Sequence, residues 1–162
     1  METITLEFKF TNLQNALDKF VNDFIDTYKN ILIRDNKKAS GNLIKSIKSL
    51  SIDFTSSQLS GSISLADYWK YVEYGRKPGK FPPPNKILDW VKIKPILPRP
   101  INGIKPTEKQ LAFLIGRKIS KYGIKAGNQF SEALDLVWAK DSNLISDAIS
   151  LDLQEAVDII KI

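Results

Sequence analysis

The stretch LQNALDKFVNDFIDTYKNIL, Leu13 to Leu32, decides the fold. Its apolar residues recur at spacings of three and four, which places them on one face of an α-helix. The opposite face carries charged side chains: Asp18, Lys19, Asp23, Asp26 and Lys29. The pattern predicts an amphipathic helix of about 20 residues, ~30 Å long at about 1.5 Å per residue.

Alternating apolar and polar residues on both sides of this helix predict β-strands. Residues 4–10 predict a half-buried strand, after which Thr11 and Asn12 are expected to cap the helix. Beyond a helical turn at 43–48, residues 50–65 predict a β-hairpin with Gly61 as a bulge. The hairpin has few apolar residues, so we expect one side of the sheet to be exposed.

The middle of the chain predicts two helices separated by proline-rich segments. A short aromatic helix over 66–74 is expected to end at Gly75, because glycine readily adopts the left-handed conformation of a helix C-terminus. The loop 76–84 contains three successive prolines, which exclude helix and interior strand. Residues 85–94 predict the second helix, and residues 95–106 an extended connector.

The remainder predicts three more helices. Thr107 and Gln110 have the spacing of a capping box, and Gly123 is expected to end the helix that they begin. Residues 131–140 and 145–160 predict the other two. The residues expected to face inward in these two helices are Leu134, Val137, Trp138, Ile149, Leu153, Ala156, Val157 and Ile160.

These elements together predict an α+β fold: a long N-terminal helix packed on a small antiparallel sheet, with additional C-terminal helices. A chain of 162 residues is expected to form a single domain, 1–162, because this length supports one core. We divide that domain into a strand, helix and hairpin (1–67), a basic, aromatic and proline-rich interaction region (68–130) and an acidic helical extension (131–162).

Charge is distributed unevenly over these parts. Residues 1–67 carry 8 basic and 8 acidic side chains, residues 68–130 carry 14 and 3, and residues 131–162 carry 2 and 7. Such a division indicates either charge pairing within the chain or opposite faces that meet between subunits. Two solvated faces of unlike sign explain it equally well.

The composition argues against catalysis. The chain has no histidine and no cysteine, which excludes His- or Cys-based nucleophilic catalysis and the usual zinc sites. We therefore expect no enzyme, no cofactor and no metal site, and the lack of an 18-residue apolar run argues against a membrane partner. Capping, or pairing with Arg76 or Lys77, is expected to explain Asp67 and Glu73. The last acidic residues are expected to form a solvated helix face: Asp147, Asp152, Glu155 and Asp158.

The aromatic segment 68–74 and the basic loop after it are the candidate site. They have two interpretations: stacking and phosphate contact with single-stranded nucleic acid, or a core anchor joined to a subunit interface. We favour the second, because a chain of this size can hardly bury four aromatic residues out of seven. The predicted interface residues are Tyr68, Trp69, Tyr71, Tyr74, Arg76, Lys77, Lys80, Phe81, Pro82, Pro83 and Arg99.

The same region resembles a known family. The segment 65–83, LADYWKYVEYGRKPGKFPP, is similar to the Y-x-x-Y-V-E-x-G passage and the following proline-bearing loop of head–tail joining and tail-completion proteins of tailed bacteriophages. The helix through Trp90, the segment LAFLIGRKI at 111–119 and the sequence YGIK at 122–125 continue the resemblance. It extends over about residues 10–140 and is strongest at 65–130, while helices beyond Phe130 depart from it.

The resemblance implies a ring-forming structural protein of the virion neck or tail, assembled in the cytoplasm of a bacterial host. Its implied partners are further copies of the chain, portal, adaptor or tail proteins, and genomic DNA passing non-specifically through the channel. A basic nucleic-acid-binding module is the alternative.

Overall fold

The computed structural model describes residues 9–37, 40–54, 59–94, 96, 98, 100, 103 and 105–160, apart from the side chains of residues 54, 59 and 160. The fold is α+β, with a long N-terminal helix, a two-stranded antiparallel sheet and further helices after it. The strand predicted at 4–10 and the connector at 95–106 lie largely outside the described residues, so both stay predictions.

Eight elements follow one another in the described part of the chain. α1 packs along α6 and against the hairpin of β1 and β2, while α4 packs on α5. The elements are α1 (Thr11–Arg34), α2 (Asn42–Ser46), β1 (Lys48–Phe54), β2 (Leu59–Ser64), α3 (Trp69–Glu73), α4 (Pro84–Ile93), α5 (Glu108–Tyr122) and α6 (Gln129–Ile160).

The core lies between α1 and the first half of α6, as the periodicity of α1 predicts. Phe24 and Tyr28 of α1 are almost fully buried, and their rings lie 4.9 and 5.5 Å from the ring of Phe130 in α6. Ile47, at the start of the hairpin, is buried in the same cluster. The sheet and α6 therefore both pack on the apolar face of α1.

The hairpin is confirmed, but its bulge is not at Gly61. Ser49 pairs with Ile63 and Ile52 with Gly61, so β1 has the extra residue, at 50–51. Leu50, within the bulge, is 64% exposed. Gly61 serves close packing instead, because a Cβ atom there would lie 3.1 Å from a methyl carbon of Val21 in α1.

The C-terminal region forms one helix, α6, where the sequence predicted two. Most of the large residues expected to face inward are exposed instead: Leu134, Trp138, Ile149, Leu153 and Val157. Beyond Gln129 at its start, the buried positions of α6 are small, acidic or medium-sized: Ala133, Val137, Asp141, Ala148 and Asp152. Small residues allow α6 to lie close to α1, and polar groups of α1 supply partners for the two buried carboxylates.

Asp152 corrects two predictions, since it is buried and it caps α1. Its carboxylate accepts hydrogen bonds from the backbone amides of Asn12 (2.9 Å) and Leu13 (2.8 Å) and from the Asn12 side chain (2.8 Å). The side chains of Thr11 and Asn12 do not cap the helix. Burial acts to raise the pKa of Asp152, but these hydrogen bonds outweigh it and the pKa is lowered.

Ion pairs join α1 to α6 at two further levels. Lys140 lies 2.6 Å from Asp23, and Lys19 bridges Asp23 (2.7 Å) and Asp141 (3.3 Å). Hydrogen bonds from Lys140 and Lys19 lower the pKa of Asp23.

The second level lies near the start of α6, where Arg34 donates two hydrogen bonds to Glu132, at 2.7 and 2.8 Å. Hydrogen bonding to Arg34 lowers the pKa of Glu132. Within the acidic C-terminal region, Glu132 and Asp141 are therefore paired with basic residues of α1 rather than with the basic middle.

Candidate interaction surface

Three tyrosines of the aromatic segment lie on the surface at intervals of three residues. Tyr68 is 44% exposed, Tyr71 60% and Tyr74 67%. Trp69 is half-buried, and its ring centroid lies 5.1 Å from that of Phe130 at the start of α6 and 5.9 Å from that of Tyr74. The segment thus divides into an internal anchor and an exposed set, named here the tyrosine stripe (Tyr68, Tyr71 and Tyr74).

Glu73 fixes α3 to the N-terminus of α6. It is 1% exposed, and its carboxylate accepts hydrogen bonds from the amides of Phe130 (2.7 Å) and Ser131 (3.1 Å) and from the Ser131 hydroxyl (2.7 Å). The expected pairing of Glu73 with Arg76 or Lys77 is wrong. The expected capping role is correct, but the helix that Glu73 caps is α6 rather than α3. Burial, followed by the charge of Glu73, raises the pKa of Tyr28 to about 12.

Two loops cross beside this anchor. The Arg76 amide donates to the Ile124 carbonyl (2.9 Å), and the Ile124 amide donates to the Arg76 carbonyl (2.8 Å). Gly75 and Gly123 flank the crossing with φ of 68° and 73°, and a Cβ atom on either would collide with the backbone of the other loop. Glycine is therefore required at both positions.

The basic loop after α3 packs on α5 and does not project freely. Phe81 lies over Gly116, Pro82 is buried, and the Gly79 amide donates to the Ser120 carbonyl (2.8 Å). Arg76 is half-buried and donates to the Lys80 carbonyl (2.6 Å). Among the predicted interface residues, Lys77, Lys80 and Pro83 are exposed beside the tyrosine stripe, whereas Arg99 lies outside the described residues.

A second exposed surface, on α5, was not singled out from the sequence. Ala112 and Gly116 are buried, while two adjacent rows of side chains face solvent. They form the α5 outer face: Phe113, Leu114, Arg117, Lys118, Lys121 and Tyr122. The sequence contains a signal for this face, since Phe113 and Leu114 are each followed by a basic residue four positions later, but α5 also has apolar residues on its other sides.

Among the described residues, no ion pair neutralises the positive charge of this region. In the parts of the chain that the structure describes, every ion pair involves α1 or its C-terminal cap, and none uses a basic residue between 70 and 125. Lys94 and Lys121 lie 5.8 and 5.1 Å from the rings of Trp90 and Tyr122. A cationic, aromatic surface of this kind suits an acidic partner.

The described residues contain no cluster of three or more acidic side chains arranged to hold a metal ion. Over the same residues, no helix has the length and hydropathy needed to cross a bilayer. Comparisons with protein-family models, curated proteins and solved structures found no match to this chain.

Proposed function

We propose that the chain is a non-enzymatic structural subunit of a tailed bacteriophage, a head–tail connector or tail-completion protein that assembles into a ring between portal and tail. In this proposal it resides in the neck or tail of the virion, after assembly in the bacterial cytoplasm. Its partners are further copies of itself and portal, adaptor or tail proteins.

The tyrosine stripe is the observation that carries the proposal. Tyrosine at an exposed position favours protein contact, because it offers a large apolar ring and a hydroxyl while ordering few torsion angles. Trp69 and Glu73 hold the backbone beneath the stripe, so little further ordering is needed on binding. The resemblance of residues 65–83 to the phage family supports the same function.

If genes for portal and tail proteins neighbour this one, a binding experiment with those proteins tests the proposal. Tyr71→Ala together with Tyr74→Ala should weaken capture of a ring partner by about tenfold or more, as expected when exposed aromatic anchors are truncated. Leu50→Ala is the matched control, because Leu50 is equally exposed but lies on the hairpin. Neighbouring genes unrelated to virion assembly, or unchanged capture by the double variant, would count against the proposal.

A basic nucleic-acid-binding module is the second candidate, favoured by the unpaired cations of α4 and α5. DNA held by these residues would be released steeply as salt increases, because each phosphate contact displaces a counterion. Retention on DNA at low salt with a steep salt slope, together with no capture by ring partners, would favour this candidate. A ring subunit that contacts DNA in its channel should show both a steep salt dependence of DNA binding and capture by ring partners.

A further inference from the structure

We propose that the α5 outer face of one copy docks on α6 of a second copy, so that copies associate head to tail. The inference rests on the proposed assembly function, for which it names the two surfaces that meet. It concerns different residues from the tyrosine stripe.

The α5 outer face has the composition of a protein interface. Phe113 is 58% exposed and Tyr122 66%, and between them lie three cations that form no ion pair in the described part of the chain. Exposed aromatic residues with arginine are enriched in protein interfaces. The partner surface should therefore be apolar and acidic.

The side of α6 turned away from α1 meets both requirements. This α6 outer face includes exposed acidic and apolar residues, Asp135, Leu136, Asp147, Leu153 and Val157, set among exposed small and polar ones, Ala139, Asn143, Ser146, Ser150 and Gln154. Lys140, the only base described on α6, is paired with Asp23. The second half of the helix is apolar on several sides, and among the described elements α1 covers one of them; such a pattern is typical of a helix covered on more than one face.

Charge decides how these surfaces pair. Two α5 outer faces placed together would oppose cation to cation, and two α6 outer faces would oppose carboxylate to carboxylate. Only the mixed pairing joins opposite charges, and both faces remain exposed within one chain because α5 packs on α4 and α6 on α1. A contact between two different faces is heterologous, and it generates a ring when the rotation between copies closes.

Charge reversal in the purified full-length chain tests the pairing. One variant carries Lys118→Glu and Lys121→Glu, the second carries Asp135→Lys and Asp147→Lys, and the third carries all four changes. Sedimentation velocity over a concentration series should show that each two-residue reversal weakens self-association by about tenfold or more, whereas the four-residue variant regains it. Circular dichroism checks that each variant is folded.

Cysteine cross-linking provides a second measurement that needs no charge change. The chain has no native cysteine, so Leu114→Cys and Leu153→Cys each introduce a single thiol. A short bismaleimide should join the two variants in a mixture and leave each variant alone as monomer. Symmetric cross-links within one variant, a wild-type chain that stays monomeric at every concentration, or a four-residue variant that stays dissociated would each overturn the head-to-tail contact.

Failure of the α5–α6 contact and failure of the proposed function give different results. A chain that binds portal or tail proteins without the α5–α6 contact retains the function and loses this inference. Head-to-tail association without any binding to portal or tail proteins would support the α5–α6 contact and count against the proposed function.

Discussion

Glu73 fixes the position of the tyrosine stripe, because its hydrogen bonds hold α3 against the start of α6. Its carboxylate satisfies two amides at the N-terminus of α6, and its own carbonyl accepts from the amides of Gly127 (2.9 Å) and Asn128 (3.2 Å). The first amides of a helix have no partner within the helix, and a carboxylate there also interacts favourably with the helix dipole. The direction of the tyrosine stripe therefore depends on a buried acid between Val72 and Tyr74.

Glu73→Gln should destabilise the chain by about 1–3 kcal/mol, because an amide nitrogen replaces one acceptor and leaves a buried donor without a partner. Thermal or urea unfolding measures the loss, with Asp67→Asn as the control at an exposed acid of the same segment. The control should change the free energy of unfolding by no more than about 0.5 kcal/mol. Equal effects of the two substitutions would show that the cap does not stabilise the fold.

The helices differ in how well the sequence predicts them. α1 was predicted almost to its ends, because one face is apolar and the other charged. The capping box at Thr107 and Gln110 was equally readable, since both partners lie within four residues. Asp152 and Glu73 each cap a helix far away in the chain, and no local pattern signals such a contact.

The inward face of α6 was predicted correctly at Val137 but wrongly at most of the larger residues, for a related physical reason. Periodicity identifies large apolar residues, whereas α6 turns Ala133, Ala148 and buried carboxylates toward α1. The large residues are left on the surface, where a partner rather than the chain's own core can cover them. The same limit applies to the candidate site. The sequence alone did not distinguish the inward Trp69 from the exposed tyrosines, because Trp69 packs on Phe130, which is distant in the sequence.

The carboxylates between α1 and α6 predict loss of stability in acid. Asp23, Glu132 and Asp152 have pKa values lowered in the folded chain, so the folded state holds fewer protons than the unfolded state in this range. Their contribution is fully present above the ordinary carboxyl pKa of about 4 and is lost as pH falls through the lowered values. Unfolding free energy measured at decreasing pH should therefore fall below about pH 4.

Asp152→Asn isolates one part of this effect. It should cost about 1–2 kcal/mol at neutral pH, because the amide can accept from only one side of the α1 terminus. The difference from wild type should shrink in strong acid, where Asp152 itself becomes protonated. Asp26→Asn, at an exposed position of α1, is the control, and a difference that persisted unchanged in acid would contradict the capping role.

On the scale of the whole molecule, burial is concentrated away from the basic surface. Of the largest fully buried side chains described, Tyr28, Phe24, Leu32 and Val137 lie in α1 or α6, whereas Ile47 lies directly before β1 and Glu73 in α3. The helical pair α4–α5 buries few positions, with Val91, Ala112 and Gly116 the main ones. The two parts are joined at the crossing of Arg76 and Ile124 and by the loop packed beneath α5.

Local opening should follow this division, because segments with fewer buried apolar contacts open at lower free energy. Hydrogen exchange of the isolated chain should be at least about tenfold faster in 108–122 than in 13–32, a difference of ~1.4 kcal/mol in opening free energy. Equal protection would mean that α4–α5 and α1 open as one cooperative unit. Association through the α5 outer face should slow exchange in 108–122 and leave 13–32 unchanged. The reason is that assembly then stabilises α4–α5, the part of the fold with the fewest buried apolar contacts.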